Sequence, residues 1–97
     1  MEAEYELHGI RFRWSADKAR RNVGKHGVSF EQAAEVFFDP FLRYVDASRK
    51  GEQRDGALGS DFGFRVLFVV HVVFEAEYIR IISARKAEPD ERKFYED

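Results

Sequence analysis

The stretch from Arg65 to Phe74, Arg-Val-Leu-Phe-Val-Val-His-Val-Val-Phe, limits the possible folds of this chain most. Its interior is β-branched, aromatic or leucine, apart from His71, and such residues favour an extended, pleated backbone. Both faces are apolar, so the strand must be covered on both sides and belongs near the centre of a sheet. It is only about half as long as a membrane-spanning helix needs. Glu75-Ala76-Glu77 then turns the chain into a second strand, Tyr78 to Ala84. Upstream, Phe41 to Asp46 and Gln53 to Leu58 alternate with period two, separated by the polar loop Ala47 to Gly51. A turn over Gly59 to Gly63 leads into the central strand. Strands in direct succession with short connections imply an antiparallel meander.

The N-terminal part has a different rhythm. Arg11-Phe12-Arg13-Trp14 alternates polar and apolar residues, as a half-buried strand does. Ser15 offers a helix N-cap and Asp17 suits the positive first turn. That helix runs to about His26 and stops at Gly27, a residue that accepts the left-handed C′ position. Ser29-Phe30-Glu31-Gln32 fits a capping box, and Phe30, Ala33, Ala34, Phe37 and Phe38 form an apolar stripe before Asp39-Pro40 ends the helix. Pro89 opens a short last helix carrying Glu91, Arg92, Phe94 and Tyr95. The expected class is α+β: an antiparallel sheet of about four strands plus an N-terminal strand, two N-terminal helices packed on it, and a short C-terminal helix. Residues 10–97 make one domain, and the acidic leader 1–9 is expected to be poorly ordered.

At 97 residues a core must be built from efficient side chains, and ten Phe, four Tyr and one Trp supply them. There is no cysteine, so disulfides and thiolate metal sites are excluded. The first residues carry no apolar run of the signal-peptide kind, and a soluble cytoplasmic protein with no membrane partner is expected. Formal net charge is −2, yet Arg11, Arg13, Lys18, Arg20, Arg21 and Lys25 cluster against the single Asp17. A local basic surface can hold a phosphate backbone on a weakly acidic protein.

No metal is expected: His8, His26 and His71 share no ligand spacing. No nucleophile elbow, P-loop or dinucleotide fingerprint occurs. Metal-free cleavage of RNA needs other parts: a base for the 2′-hydroxyl proton, cations for the charge growing on phosphate, and an acid for the leaving 5′-oxygen. Lys25 and His26 end the first helix, whose negative terminus favours cations, and are equally suited to a solvated lysine and a capping histidine. Glu52 and Arg54, two apart in a strand, share a face and suit a solvated ion pair as well as a site. Arg80 sits in an apolar strand, on one face with Tyr78, Ile82 and Ala84, where it needs an anionic partner such as Glu52 or Asp46, or a wet groove. Arg85 has the opposite parity. His71 reads as a core histidine, and Tyr95 as the one aromatic nominated to meet RNA.

Phe12-x-Trp14, Lys18, Asn22, Lys25-His26-Gly27-Val28-Ser29-Phe30-Glu31, Ala33-Ala34, Val36-Phe37 and Asp39-Pro40 resemble the N-terminal half of the BrnT toxins. Glu52-x-Arg54 with Gly59 resembles their middle segment. Ile79-Arg80-Ile81-Ile82-Ser83-Ala84-Arg85-Lys86-Ala87 with Glu91-Arg92 and Tyr95 resembles their C-terminal signature. The resemblance covers about residues 10–96. It implies a RelE-like ribonuclease fold, metal-independent endoribonuclease activity without a cofactor, and arrest of translation. It also implies a BrnA-type ribbon-helix-helix antitoxin, bound as a heterotetramer, with operator DNA contacted only through that antitoxin. Arg80 and Arg85 would bind phosphate and the transition state, with Lys25 as a further cation. His26 or Glu52 would be the base, Arg54 an orienting group and Tyr95 an acid or stacking residue, while Arg21 and Lys86 would hold RNA. Ser15 stands where the family commonly has an acid, and His71 with Glu75-Ala76-Glu77 replaces a stretch that often holds an Arg. The competing function is a non-catalytic module that binds antitoxin and modulates its operon. Direct DNA recognition is weaker, because the two helices lack helix-turn-helix spacing and the signature arginines lie on a strand.

Overall fold

The computed structural model describes residues 1–97. The elements run β1 (Glu2–Leu7), β2 (Ile10–Ser15), α1 (Ala16–His26), α2 (Phe30–Glu35) with a 3₁₀ turn over Val36–Phe38, β3 (Arg43–Asp46), β4 (Asp55–Ser60), β5 (Val66–Phe74), β6 (Tyr78–Lys86) and α3 (Pro89–Glu96). The six strands form one sheet in the order β1-β2-β6-β5-β4-β3. All neighbours are antiparallel except β2 and β6, which run parallel. No helix is long and apolar enough to cross a membrane.

The α+β class stands, with corrections of detail. The sheet has six strands and is mixed, because β6, after the chain has built the meander's far side, returns beside β2 and parallel to it. The second helix lasts only six residues before tightening into 3₁₀ geometry. Gln53 and Arg54 stay in the loop, and β4 continues to Ser60. The leader is the largest change. Residues 2–7 form β1, paired with β2 along its length through a turn at His8 and Gly9. Both turn residues have positive φ (50° and 84°), as a tight hairpin of the type I′ kind requires. Alternation explains the strand: Ala3, Tyr5 and Leu7 pack against the core while Glu2, Glu4 and Glu6 face the other way.

Local signals acted as read. The Ser15 hydroxyl accepts the Lys18 amide, and Gly27 closes α1 at φ 68°. Ser29 and Gln32 cap α2 reciprocally. The core lies between the sheet and α1/α2, where Phe12, Trp14, Phe30, Val36, Leu67, Val69, Ile81 and Ala84 are buried. The Trp14 and Phe30 rings meet edge to face at 5.8 Å. His71 joins this layer at 1% exposed, with its ring edge-on to Phe37 at 4.8 Å. Burial pushes its pKa down, so a neutral imidazole fills the space. On the other face α3 covers only one end of the sheet, over β4, Arg43 and Arg85.

Candidate functional site

Strand β6 carries the signature arginines, and its irregularity decides where they point. Val70 pairs with Ser83 and His71 with Ile81, which leaves Ile82 as an extra, unpaired residue. One inserted residue flips the parity of everything beyond it. Arg80 therefore opposes Val72 while Arg85 opposes Phe68, two positions of equal parity on β5. Both arginines lie on the face away from α1 and α2, with Tyr78 and Ser83, while Ile79, Ile81 and Ala84 point to the helices. The regular count, which set Arg85 apart and grouped Arg80 with Ile82 and Ala84, is overturned by this bulge.

Arg80 has the partner its surroundings demand, but from an unexpected place. Its two terminal nitrogens bind the two oxygens of Glu2 at 2.6 Å each; neither Glu52 nor Asp46 is involved. That hydrogen bond lowers the pKa of Glu2 and raises that of Arg80. Arg13 lies opposite Arg80 in the parallel register, bonds Glu4 at 3.1 Å and rests over the Tyr78 ring at 4.4 Å. Arg85 makes a second fork, to Glu91 at 2.7 and 2.9 Å, and lies over Phe68 at 4.7 Å. Glu91 also accepts the Glu88 amide within the capping box of α3, so this pair is built into a helix start.

Lys25 and His26 come together with Arg21, as their shared helix predicts. With Lys18, Asn22, Ile82 and Ser83 they line a shallow groove of ≈ 300 Å³ between α1 and the free edge of β6. The groove's floor is set by Asn22. Its amide donates to the carbonyl oxygens of Val28 at 2.9 Å and Ala84 at 2.7 Å, and its carbonyl accepts the Ala84 amide at 3.2 Å. Asn22 thus imitates the next strand where β2 has diverged, and it fixes the basic helix beside the bulge. Lys86 is exposed at the strand's end.

The remaining candidates sit apart. Glu52 and Arg54 bond each other at 2.7 Å in the β3–β4 loop. Tyr95 donates its phenolic hydrogen to Asp39, and burial first, then that carboxylate, pushes its pKa up to about 12. Asp39 also accepts the amides of Phe41 at 2.9 Å and Ser60 at 2.7 Å, tying α3, the turn and β4 together. So the structure gathers Arg21, Lys25 and His26 in one groove, sets Arg80 and Arg85 on the opposite face of the same strand, and leaves Glu52, Arg54 and Tyr95 outside both. Sequence reasoning missed Arg13, Glu2 and the bridging role of Asn22. Alternation across residues 2–7 against Arg11 and Arg13 was the available signal for the first two; Asn22 had none beyond its place in the motif.

The family model described as the ribonuclease toxin BrnT of type II toxin–antitoxin systems matches residues 14–91. Among solved structures, the 1.1 Å crystal structure of the Brucella abortus ribonuclease toxin BrnT superposes with a TM-score of 0.59 at 26% identity, covering 77% of this chain and 92% of that one. No curated protein matches.

Proposed function

The chain belongs to the BrnT family of ribonuclease toxins of type II toxin–antitoxin systems, and from that membership we propose that it is a metal-independent endoribonuclease that arrests translation and is neutralised by an antitoxin of the BrnA type. The observation that carries the reading is the bulge at Ile82, which turns Arg80 and Arg85 to one face while Ile82 and Ser83 line the groove of Lys25 and His26. Bulges recur where a strand must re-aim a side chain at a functional site. One strand then presents cations on both of its sides to a bound polyanion.

In the cleavage step a base removes the 2′-hydroxyl proton and the oxygen attacks phosphorus. The 5′-oxygen leaves with a proton from an acid, and a 2′,3′-cyclic phosphate remains. His26 is the better base, because it shares its groove with Lys25, whereas the Glu52 carboxylate is bonded to Arg54 in a loop. Lys25 stabilises the phosphorane charge in the groove, while Arg80 and Arg85 bind backbone phosphates of the RNA on the strand's other face. Arg21 and Lys86 hold flanking phosphates, Arg54 orients the strand, and Tyr95, whose proton is committed to Asp39, is kept for positioning or stacking. An antitoxin finds a ready surface in the exposed Phe41, Phe62 and Phe64, which surround a hollow of ≈ 520 Å³ with Glu35, Asp39 and Asp61. We assign two copies of toxin and two of antitoxin, with operator DNA held by the antitoxin alone.

The test is cleavage of RNA by purified protein in EDTA. Wild type is expected to cleave, His26→Ala to be slower by roughly 10²–10⁴-fold, and Arg80→Ala to be slower as well. Activity that appears only with a divalent metal overturns the mechanism. A second reading, a non-catalytic antitoxin-binding module, draws on the carboxylate that already fills each signature arginine fork. A folded wild type that cleaves nothing yet binds antitoxin tightly selects it.

A further inference from the structure

Arg13 and Arg80 face each other across the sheet's one parallel register, on the surface that α1 and α2 leave bare. Two guanidinium groups so placed repel unless anions lie between them. The anions here belong to β1: Glu2 forks onto Arg80 through both oxygens, and Glu4 binds Arg13. Two oxygens presented to a guanidinium fork are also what a phosphodiester offers, and arginine recognises the two groups by the same geometry.

The two forks of the open face are unequal. Glu91, 23% exposed, is fixed to Arg85 by its second role in the α3 cap. The side chains of Glu2 and Glu4 are 51% and 69% exposed and bond nothing except their arginines. Exposed pairs of this sort hold weakly and yield to a stronger anion. Their release would not unfold the strand, because β1 is anchored on its other face by Ala3, Tyr5 and Leu7 and along its backbone by β2. Glu2, Glu4 and Arg13 all precede the segment that matches the family model.

We propose that Arg13 and Arg80 form a binding site for a backbone phosphate of RNA, which Glu2 and Glu4 occupy in the free protein and vacate when RNA binds. The strand β1 is thus an internal competitor that tempers affinity for RNA. The proposal rests on the ribonuclease reading in taking RNA as the ligand, and adds to it Arg13 and the competing carboxylates.

The test measures fluorescence anisotropy of a labelled 2′-O-methyl RNA, which cannot be cleaved, with the full chain in EDTA. Glu2→Gln/Glu4→Gln is expected to bind about three- to tenfold more tightly than wild type. Glu31→Gln/Asp90→Asn removes the same charge from two exposed helix positions, and is expected to gain clearly less. In an Arg13→Ala/Arg80→Ala background the gain from Glu2→Gln/Glu4→Gln should vanish, and Arg13→Ala alone should weaken binding; such non-additivity marks groups in direct contact. Melting temperatures establish that each variant is folded. As a second arm, inorganic phosphate titrated into Glu2→Gln/Glu4→Gln should shift the side-chain NMR signals of Arg13 and Arg80 at lower concentration than in wild type. Equal affinities of the two charge-removing double variants, or a gain that survives Arg13→Ala/Arg80→Ala, overturn the proposal. If that happens while Arg80→Ala still abolishes cleavage of unmodified RNA, the ribonuclease reading stands without the competitor. A folded wild type that neither binds nor cleaves RNA removes both.

Discussion

Asn22 is a structural residue as much as a groove residue, because its amide completes a strand edge that no strand reaches. At 7% exposed it supplies both the donor and the acceptor that Ala84 lacks. Asn22→Ala leaves a buried N–H and two carbonyls without partners, and should cost roughly 2–4 kcal/mol, read as a lower urea midpoint with an unchanged slope. Asn22→Asp should be worse, since a carboxylate would face the oxygens of Val28 and Ala84. Tyr95 and Asp39 make a second joint, and pH separates their contributions. A tyrosine whose folded pKa is raised adds stability that is complete below pH about 10 and is lost as pH rises through about 12. Burial drives the Asp39 pKa up, but the bonds from Tyr95, Ser60 and Phe41 outweigh it and the net direction is down. Its contribution therefore exists above the ordinary carboxylate range and fades as pH falls below it. Tyr95→Phe should lose about 1 kcal/mol at neutral pH, and the gap from wild type should narrow in strong acid and strong alkali; a gap constant across pH counts against the pairing. Local partners such as Ser29 with Gln32 were legible in the sequence because three residues separate them. Asn22 was not, because Ala84 lies 62 positions away.

Among the elements, β6 shows how one backbone irregularity governs chemistry. Its type and approximate position follow from composition, and so does the helix that precedes the meander. The insertion at Ile82 does not, since nothing in Ile-Ile-Ser-Ala distinguishes a bulged strand from a regular one. Parity counting failed at the one place where it mattered for the site. The face created by the bulge is stacked in depth: Gly56 lies under the Phe68 ring, and Arg85 lies over that ring. A Cβ on Gly56 would stand 2.7 Å from Phe68 and 2.8 Å from Val45. Gly56→Ala must displace Phe68, and should destabilise by about 1–3 kcal/mol as overpacked sites do. It should also disturb the Arg85–Glu91 fork. Loss of RNA cleavage beyond what the fall in melting temperature explains would be the sign of that second effect, and a neutral Gly56→Ala would mean that the stack has room to yield.

At the scale of the whole molecule, the N-terminal strand decides whether the sheet is closed against the core. In residues 1–9 the charge of Glu2, Glu4 and Glu6 masks an alternation in which Ala3, Tyr5 and Leu7 occupy every second place. Charge marks the solvent face of a strand as readily as it marks disorder, and only the parallel return of β6 beside β2 builds the sheet that β1 extends. Tyr5 lies 5.7 Å from the Trp14 ring and 6.5 Å from the Phe12 ring, shielding two of the largest core residues. A chain beginning at Ile10 would regain the entropy of nine ordered residues but expose β2 as an edge and wet Trp14. Packing of Ala3, Tyr5 and Leu7 on the core, together with the backbone ladder to β2, is what holds those residues against that entropy. The truncation should lower the melting temperature, by roughly 4–8 °C for each kcal/mol lost in a domain of this size, measured by circular dichroism. An unchanged melting temperature would return residues 1–9 to the status of a leader. The same truncation removes Glu2 and Glu4, so its RNA affinity informs only if the truncated chain is folded at the temperature of measurement. The point substitutions, which leave the apolar face of β1 in place, separate the strand's packing from its carboxylates.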